Sequence, residues 1–284
     1  MRTKFMLFSL TFILLLGNHS AGAQPPPLGG PVTGGGMPPL YKLAPQPKLE
    51  EYWRHAKKEV DKSVLELIAQ HQAELNKGLR INKLMQGDPA KKEIALTFDD
   101  GPHSYYTRKI LDILKSNRVK ATFFLVGEKV LEHPELARAE VAEGHVPGNH
   151  TFHHVNLTRI PEQDVALEVV ACSDAILAAT GKKPHLFRPP GGDYDPQVAG
   201  VVDALGYTLI LWTDNPGDYA SPGTGKIETR VTSGITNGGI ILMHDGVQET
   251  LDALPVIIEE LKKRDFSFVG IDDMLRKKPG QGHN

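Results

Sequence analysis

The stretch Ile94-Ala95-Leu96-Thr97-Phe98-Asp99-Asp100-Gly101-Pro102-His103 decides how the rest of the chain is read. Ile94 to Phe98 is a short apolar run of the kind that forms a buried strand. It leads directly into two adjacent carboxylates. Successive strand residues point to opposite faces, so Asp99 and Asp100 are expected to leave the strand end in different directions. One is then placed to bind a cation while the other faces a substrate. The competing reading is an Asp-Gly-Pro turn that only ends the strand.

Downstream, helix-like and strand-like segments alternate. A helix is expected from about Thr107 to Asn117 and a second strand over Ala121 to Val126. A helix near Pro134 to Glu143, a short strand around His145 and a long amphipathic helix over about Glu162 to Ala179 follow. Later strands fall at Leu186 to Arg188, Tyr207 to Leu211, Ile240 to His244 and Phe266 to Val269. Helices near Pro196 to Leu205, Lys226 to Ser233 and Leu251 to Arg264 separate them. Such alternation implies an α/β fold with parallel strands and crossover helices. About seven units fit the length, one fewer than in the usual eight-stranded barrel.

The polar motifs cluster at the strand ends. Gly148-Asn149-His150-Thr151-Phe152-His153-His154 spaces His150 and His154 four apart, which one helical turn would bring to the same face. With Asp100 they make three ligands and leave one position for water, the pattern of a catalytic metal site. A surface loop with scattered histidines is the alternative, and His153 is an alternative ligand. Phe187-Arg188-Pro189-Pro190-Gly191-Gly192-Asp193 ends another strand, with Arg188 able to hold a carboxylate bidentately. Trp212-Thr213-Asp214-Asn215-Pro216-Gly217-Asp218-Tyr219 combines aromatics with carboxylates, and Ile241-Leu242-Met243-His244 is an apolar strand ending in a histidine.

Taken together, these residues resemble the polysaccharide deacetylase family, also called carbohydrate esterase family four or the NodB-homology domain. The resemblance runs from about Ile94 to Leu275 and rests on T-F-D-D-G-P, H-T-F-H-H and three further motifs in the family order. It implies a distorted (β/α)7 barrel and metal-dependent removal of acetyl groups from an amino-sugar polymer. By resemblance, Asp99 is the general base, and Asp100, His150 and His154 are metal ligands. Arg188 orients the base, and Asp218 partners the catalytic acid His244. Leu242 lines an acetyl pocket, Gly191 lends a backbone N–H to the oxyanion, and Tyr219 forms an aromatic wall. The cofactor implied is a divalent ion, zinc first, with cobalt or nickel able to fit two histidines and an aspartate. Two positions depart from the family pattern. Gly191 stands where an aromatic is frequent, and Tyr219 where a Trp is usual. Both bear on substrate preference more than on the reaction. Peptidoglycan or a chitin-like N-acetylglucosamine polymer is the expected substrate. O-deacetylation of acetylated xylan, a non-catalytic glycan-binding module and a partner-binding protein built on its N-terminal helix are the alternatives.

The flanks read differently. Arg2 and Lys4 precede an apolar run, Phe5 to Leu16, and Ala21-Gly22-Ala23 supplies small residues for cleavage. Residues 1–23 therefore read as a secretory signal peptide, and the run is too short for a membrane span. The protein is expected to be secreted or periplasmic, with no stable span after cleavage. Residues 24–47 hold eight Pro and five Gly and read as a spacer. Leu49, Trp53, Ala56, Val60, Val64, Leu67, Ile68 and Leu75 recur at helical spacing, so residues 48–87 read as a helical extension with one helix of about 28 residues ending near Gly78. It is expected to brace the catalytic domain, residues 91–278, with a coiled-coil or partner-binding helix as the alternative. Residues 279–284 are a tail. The chain has 284 residues, a formal net charge of −2 and one cysteine, Cys172. That balance argues against a nucleic-acid partner. A single cysteine excludes an internal disulfide framework and a multi-cysteine zinc site. Cys172 lies in the apolar pattern of a helix and is expected to be a buried thiol.

Overall fold

The computed structural model describes residues 61–276. The expected leader (1–23), the spacer (24–47), the first part of the helical extension and the tail (279–284) lie outside the described residues. The chain runs α1 (Val64–Asn76), β1 (Lys83–Leu84), β2 (Glu93–Gly101), α2 (Tyr106–Asn117), β3 (Ala121–Leu125), α3 (Gly127–Glu132), α4 (Pro134–Ala142), β4 (Val146–Asn149), α5 (Glu162–Thr180), β5 (Leu186–Phe187), α6 (Pro196–Ala204), β6 (Thr208–Ile210), α7 (Thr224–Gly234), β7 (Gly239–His244), α8 (Gln248–Lys263), β8 (Ser267–Phe268) and α9 (Ile271–Arg276). The strands form one parallel sheet in the order β1-β6-β5-β4-β3-β2-β7, with β8 paired to the start of β2. Past β6, Asp214 makes a parallel bridge to Ile241 of β7. The sheet therefore curls round towards closure, a distorted barrel with helices outside, as the alternation of segments implied. None of the described helices is long and apolar enough to cross a membrane.

The two-residue alternation of the strands divides the core. Leu96 and Phe98 of β2, Phe123 and Leu125 of β3, and Ile241 and Met243 of β7 face outward. They are sealed by Ile110, Leu111 and Leu114 of α2 and by Leu254, Ile257 and Ile258 of α8. Ala95, Phe124, Ile240 and Leu242 have the opposite parity. They join Phe187, Leu209, Leu211 and Trp212 in an inner cluster. Thr97 and Asp99 share the parity of Ala95 and so point inward, to the end where the strands finish. β4 packs close against β3. Gly148 pairs with Phe124, and a Cβ there would fall 2.4 Å from the Phe124 ring. A side chain at that position would collide with the ring, so the close strand pairing needs glycine there. Cys172 is buried on α5, its thiol donates to the Leu125 carbonyl at 3.2 Å, and burial pushes its pKa up, as expected of an inert thiol.

The N-terminal helix departs from its expected bounds. It begins at Val64, and Asp61 to Ser63 are not helical. Ser63 is extended, its hydroxyl accepts the Glu66 N–H, and the Glu66 carboxylate accepts the Ser63 N–H at 2.7 Å. This reciprocal capping box stops a helix from running through from the preceding residues. The expectation of one continuous helix from about residue 48 to Gly78 is corrected to that extent, and its part before residue 61 lies outside the described residues. Leu67 of α1 is buried against the domain, while Leu65, Ile68 and Leu75 are exposed. A polar cluster fastens the other end, where Lys83 and Tyr194 both bond to Glu74. Lys83 and Leu84 themselves pair with Leu209 and Ile210 of β6. The stretch read as an extension, residues 48–87, thus supplies a strand to the sheet.

Candidate active site

The site gathers at the carboxyl ends of β2, β4, β5 and β7, the end of an α/β barrel at which strand-end loops converge. At Asp100 the register between β2 and β3 slips: Asp99 pairs with Phe124, and Gly101 with Leu125. Asp100 bulges out with φ 69. The strict alternation expected of neighbouring strand residues is broken there. Both carboxylates therefore approach one point: Asp99 Oδ2 lies 3.7 Å and Asp100 Oδ1 3.5 Å from His150 Nε2. Divergence of the two carboxylates is the expectation that the bulge overturns.

His150 and His154 also meet, with ring centroids 4.9 Å apart, but not across a helical turn. Thr151 and His154 adopt left-handed backbone, φ 66 and 55, and the segment is a loop. Glu168 of α5 holds that loop. Its Oε2 accepts the N–H groups of Phe152 and His153 at 3.0 and 2.9 Å. Its Oε1 is bonded to His153 Nδ1 at 2.6 Å. His153 is thereby engaged by Glu168, and His154 is the residue whose Nε2 reaches Asp100 Oδ1, at 3.0 Å.

These three side chains fit a cation. His150 Nδ1 donates to the Arg188 carbonyl at 2.8 Å, an assignment that leaves Nε2 with a free lone pair. Asp100 Oδ1 faces both imidazoles, 3.5 Å from His150 Nε2 and 3.0 Å from His154 Nε2, and among the described residues no contact to it has the geometry of a hydrogen bond. One ligand atom from each of Asp100, His150 and His154 lies within 4.8 Å of the others. A buried carboxylate oxygen turned towards two imidazole nitrogens is a donor set that suits a divalent cation. Burial raises the Asp100 pKa, but the facing His154 and His150 outweigh it and hold the carboxyl well below its usual range.

Beside this cluster stand two buried ion pairs. Arg188 is wholly buried at the end of β5. Its Nη1 donates to Asp99 Oδ1 and to Thr97 Oγ1, each at 2.7 Å, and its Nε donates to the Ile210 carbonyl at 3.3 Å. The guanidinium lies over the Phe124 ring, 4.1 Å from its centroid. One oxygen of Asp99 is held, and the other is turned to the site. On the far side, Asp218 Oδ1 accepts His244 Nδ1 at 2.8 Å. Asp218 Oδ2 accepts the His244 N–H at 2.8 Å and the Thr250 hydroxyl at 2.5 Å. Burial opposes charge on both partners, yet Asp218 lies below its ordinary pKa and His244 is raised to about 10, chiefly by Asp218. The Tyr219 ring, largely exposed, meets His244 edge-on at 5.1 Å.

The other expected site residues are placed less directly. Leu242 shares the inward face with His244 but is fully buried beneath it. Gly191 has φ 65, a conformation glycine adopts without strain, and its carbonyl accepts the Lys62 N–H at 3.0 Å. The residue that sequence reasoning missed is Asp61. Its Oδ2 lies 3.5 Å from His244 Nε2. The Ser63-x-x-Glu66 capping signal immediately after it marks where the chain turns, but nothing local says where it goes.

Comparison with known proteins agrees with this geometry. A sequence profile of the polysaccharide deacetylase family matches residues 86–210. The peptidoglycan-N-acetylglucosamine deacetylase PgdA of Listeria monocytogenes is 38% identical over 187 residues, which is 66% of this chain and 40% of that protein. This chain thus spans less than half the length of that relative. The chitooligosaccharide deacetylase of a Bradyrhizobium strain is 36% identical over 192 residues, covering 62% of this chain and 88% of that protein. Among solved structures, the Bc1960 peptidoglycan N-acetylglucosamine deacetylase in complex with a benzamide ligand superposes with a TM-score of 0.68 at 32% identity. That match covers 71% of this chain and 96% of the other.

Proposed function

Because the chain belongs to the polysaccharide deacetylase family, we propose that it hydrolyses N-acetyl groups on an amino-sugar polymer, releasing acetate. Peptidoglycan is the substrate favoured, and a chitin-like N-acetylglucosamine chain comes next. The observation that carries the reading is that a held carboxylate, an Asp-His-His cluster and a charged His-Asp pair are brought together at the carboxyl ends of neighbouring strands. Asp100, His150 and His154 would hold a divalent ion, zinc before cobalt or nickel, which when bound would polarise a carbonyl and make water more acidic. Asp99, held through one oxygen by Arg188, takes the water's proton on the other. The Gly191 N–H supports the developing oxyanion. His244, oriented by Asp218, gives its proton to the leaving nitrogen. Leu242 backs the acetyl methyl and Tyr219 flanks the sugar. The leader-like residues 1–23 support a secreted or periplasmic location, where such polymers lie.

The test is acetate release from N-acetylglucosamine oligomers and from peptidoglycan, with metal-stripped and zinc-restored protein compared. Stripping is expected to abolish release and zinc to restore it. Acetate from acetylated xylan alone would replace the reading with O-deacetylation. No acetate from any of the three would sink it.

The acid also predicts a pH profile. His244 donates only while protonated, so its contribution is present below its raised pKa and is lost as pH rises through it. Its charged form is opposed by burial and sustained first by Asp218. Asp218→Asn removes that support, so the alkaline limb of kcat/KM is expected to move to lower pH. An unmoved limb would remove His244 from the acid role.

A further inference from the structure

Asp61 precedes residues 86–210, where the family profile matches, yet its carboxylate stands at the nitrogen that delivers the proton. It is not a stray surface group. Burial raises its pKa, and Asp99, Asp100 and Asp218 add to that rise while His244 opposes it. A fourth carboxylate among three is electrostatically unfavourable unless a cation faces it. The backbone is fixed on both sides of the contact. The Lys62 N–H donates to the Gly191 carbonyl at 3.0 Å. Lys62 Nζ pairs with Asp193 at 2.9 Å and donates to Gln70 at 2.8 Å. Ser63 then caps α1, and Gln70 Nε2 donates to the Tyr194 carbonyl at 3.1 Å. The chain thus crosses the rim of the site in one defined path.

At 3.5 Å, Asp61 Oδ2 is too far from His244 Nε2 for a strong hydrogen bond. It acts as a charge beside the imidazolium and leaves the N–H available. We propose that Asp61 is a specificity-determining residue that makes this site favour an amide over an ester. The inference rests on the deacetylase reading above, with His244 as the acid. When the tetrahedral adduct collapses, the proton on Nε2 passes to the leaving atom. The bond from carbon to that atom breaks, and its electron pair stays with the departing group. An amide nitrogen must be protonated before it leaves, so a full positive charge moves from Nε2 onto substrate. An ester oxygen leaves as an alkoxide that is only partly protonated and never carries that cation. Asp61 borders the path of the charge and stabilises it more as it develops on the departing nitrogen than while it rests on Nε2. For an ester it has little to stabilise.

The experiment uses the full chain loaded with zinc and its Asp61→Asn and Asp61→Glu variants. Asn keeps the size and loses the charge, and Glu keeps the charge. The substrates are an N-acetylglucosamine tetramer and para-nitrophenyl acetate. For Asp61→Asn, kcat/KM on the tetramer is expected to fall about 10- to 100-fold, mainly through kcat. On the ester it should stay within about twofold, since no charged leaving atom has to be stabilised. Asp61→Glu should keep most of the amide preference. Equal losses on both substrates would mean that Asp61 only holds the chain in place, and unchanged amide turnover would mean that it does nothing; either result overturns the proposal. If unaltered protein released acetate from no N-acetylated polymer while still cleaving the ester, the deacetylase reading would fail instead, and the two failures are distinct.

Discussion

Asp99→Asn is expected to lower kcat for acetate release by about 10²- to 10⁴-fold, the range that positioned proton transfer contributes. Bound metal should stay near one ion per chain. The two halves of that result come from the two oxygens. Asp99 Oδ1 accepts from Arg188 Nη1 at 2.7 Å, and an Asn carbonyl can accept the same bond, so the buried arginine keeps a partner. The other oxygen faces the histidine cluster, where an amide nitrogen cannot take a proton. Asp100→Asn should differ in kind. Asp100 is one of the three groups that converge on the cation position, so its loss should lower metal content and turnover together. Metal analysis beside kcat for both variants separates base from ligand. Near-normal turnover in Asp99→Asn would remove Asp99 from the base role, and full metal retention in Asp100→Asn would remove it from the ligand set.

Much of this arrangement can be read in the amino-acid sequence alone, because the long elements carry strong periodic patterns. The runs around Phe98, Phe123 and Met243 form the strands expected of them, and the helices between them fall within a few residues of their expected limits. The legible part of the site is the part each motif carries at its own strand end. What was not legible is what the backbone does between motifs. A left-handed aspartate at Asp100 and left-handed residues at Thr151 and His154 break the local preference for right-handed or extended backbone. Tertiary contacts, such as those of Glu168 with the loop, hold them there. Two-residue strands such as Lys83–Leu84 and six-residue helices such as Gly127–Glu132 are too short for any period to show. Asp61 is a different case. Its contact with His244 is set by how the chain crosses the rim, which no local pattern encodes, although the capping box at Ser63 marked the turn that makes it possible.

The largest effect on stability is expected at Arg188, a charged residue that is wholly buried in the barrel. It is fully buried, with hydrogen bonds to Asp99, Thr97 and the Ile210 carbonyl and with its guanidinium on the Phe124 face. Burial alone pulls its pKa down, and Asp99 opposes that. Arg188→Met fills much of the volume and keeps a contact with the ring. It leaves Asp99 as a buried charge without its arginine, so the cost is expected to be about 3–5 kcal/mol, a large share of the ~5–15 kcal/mol that holds a typical domain folded. Urea denaturation should show the midpoint falling without a change in slope. The decisive variant is the double one. With Asp99→Asn added, the stranded charge is gone, and Arg188→Met/Asp99→Asn should be more stable than Arg188→Met alone by ~1 kcal/mol or more. If the two changes simply add, the loss comes from the cavity and the freed carbonyl rather than from the pair. The arginine would then be a packing element, and its hold on the base would no longer explain why a charge stands at the centre of the fold.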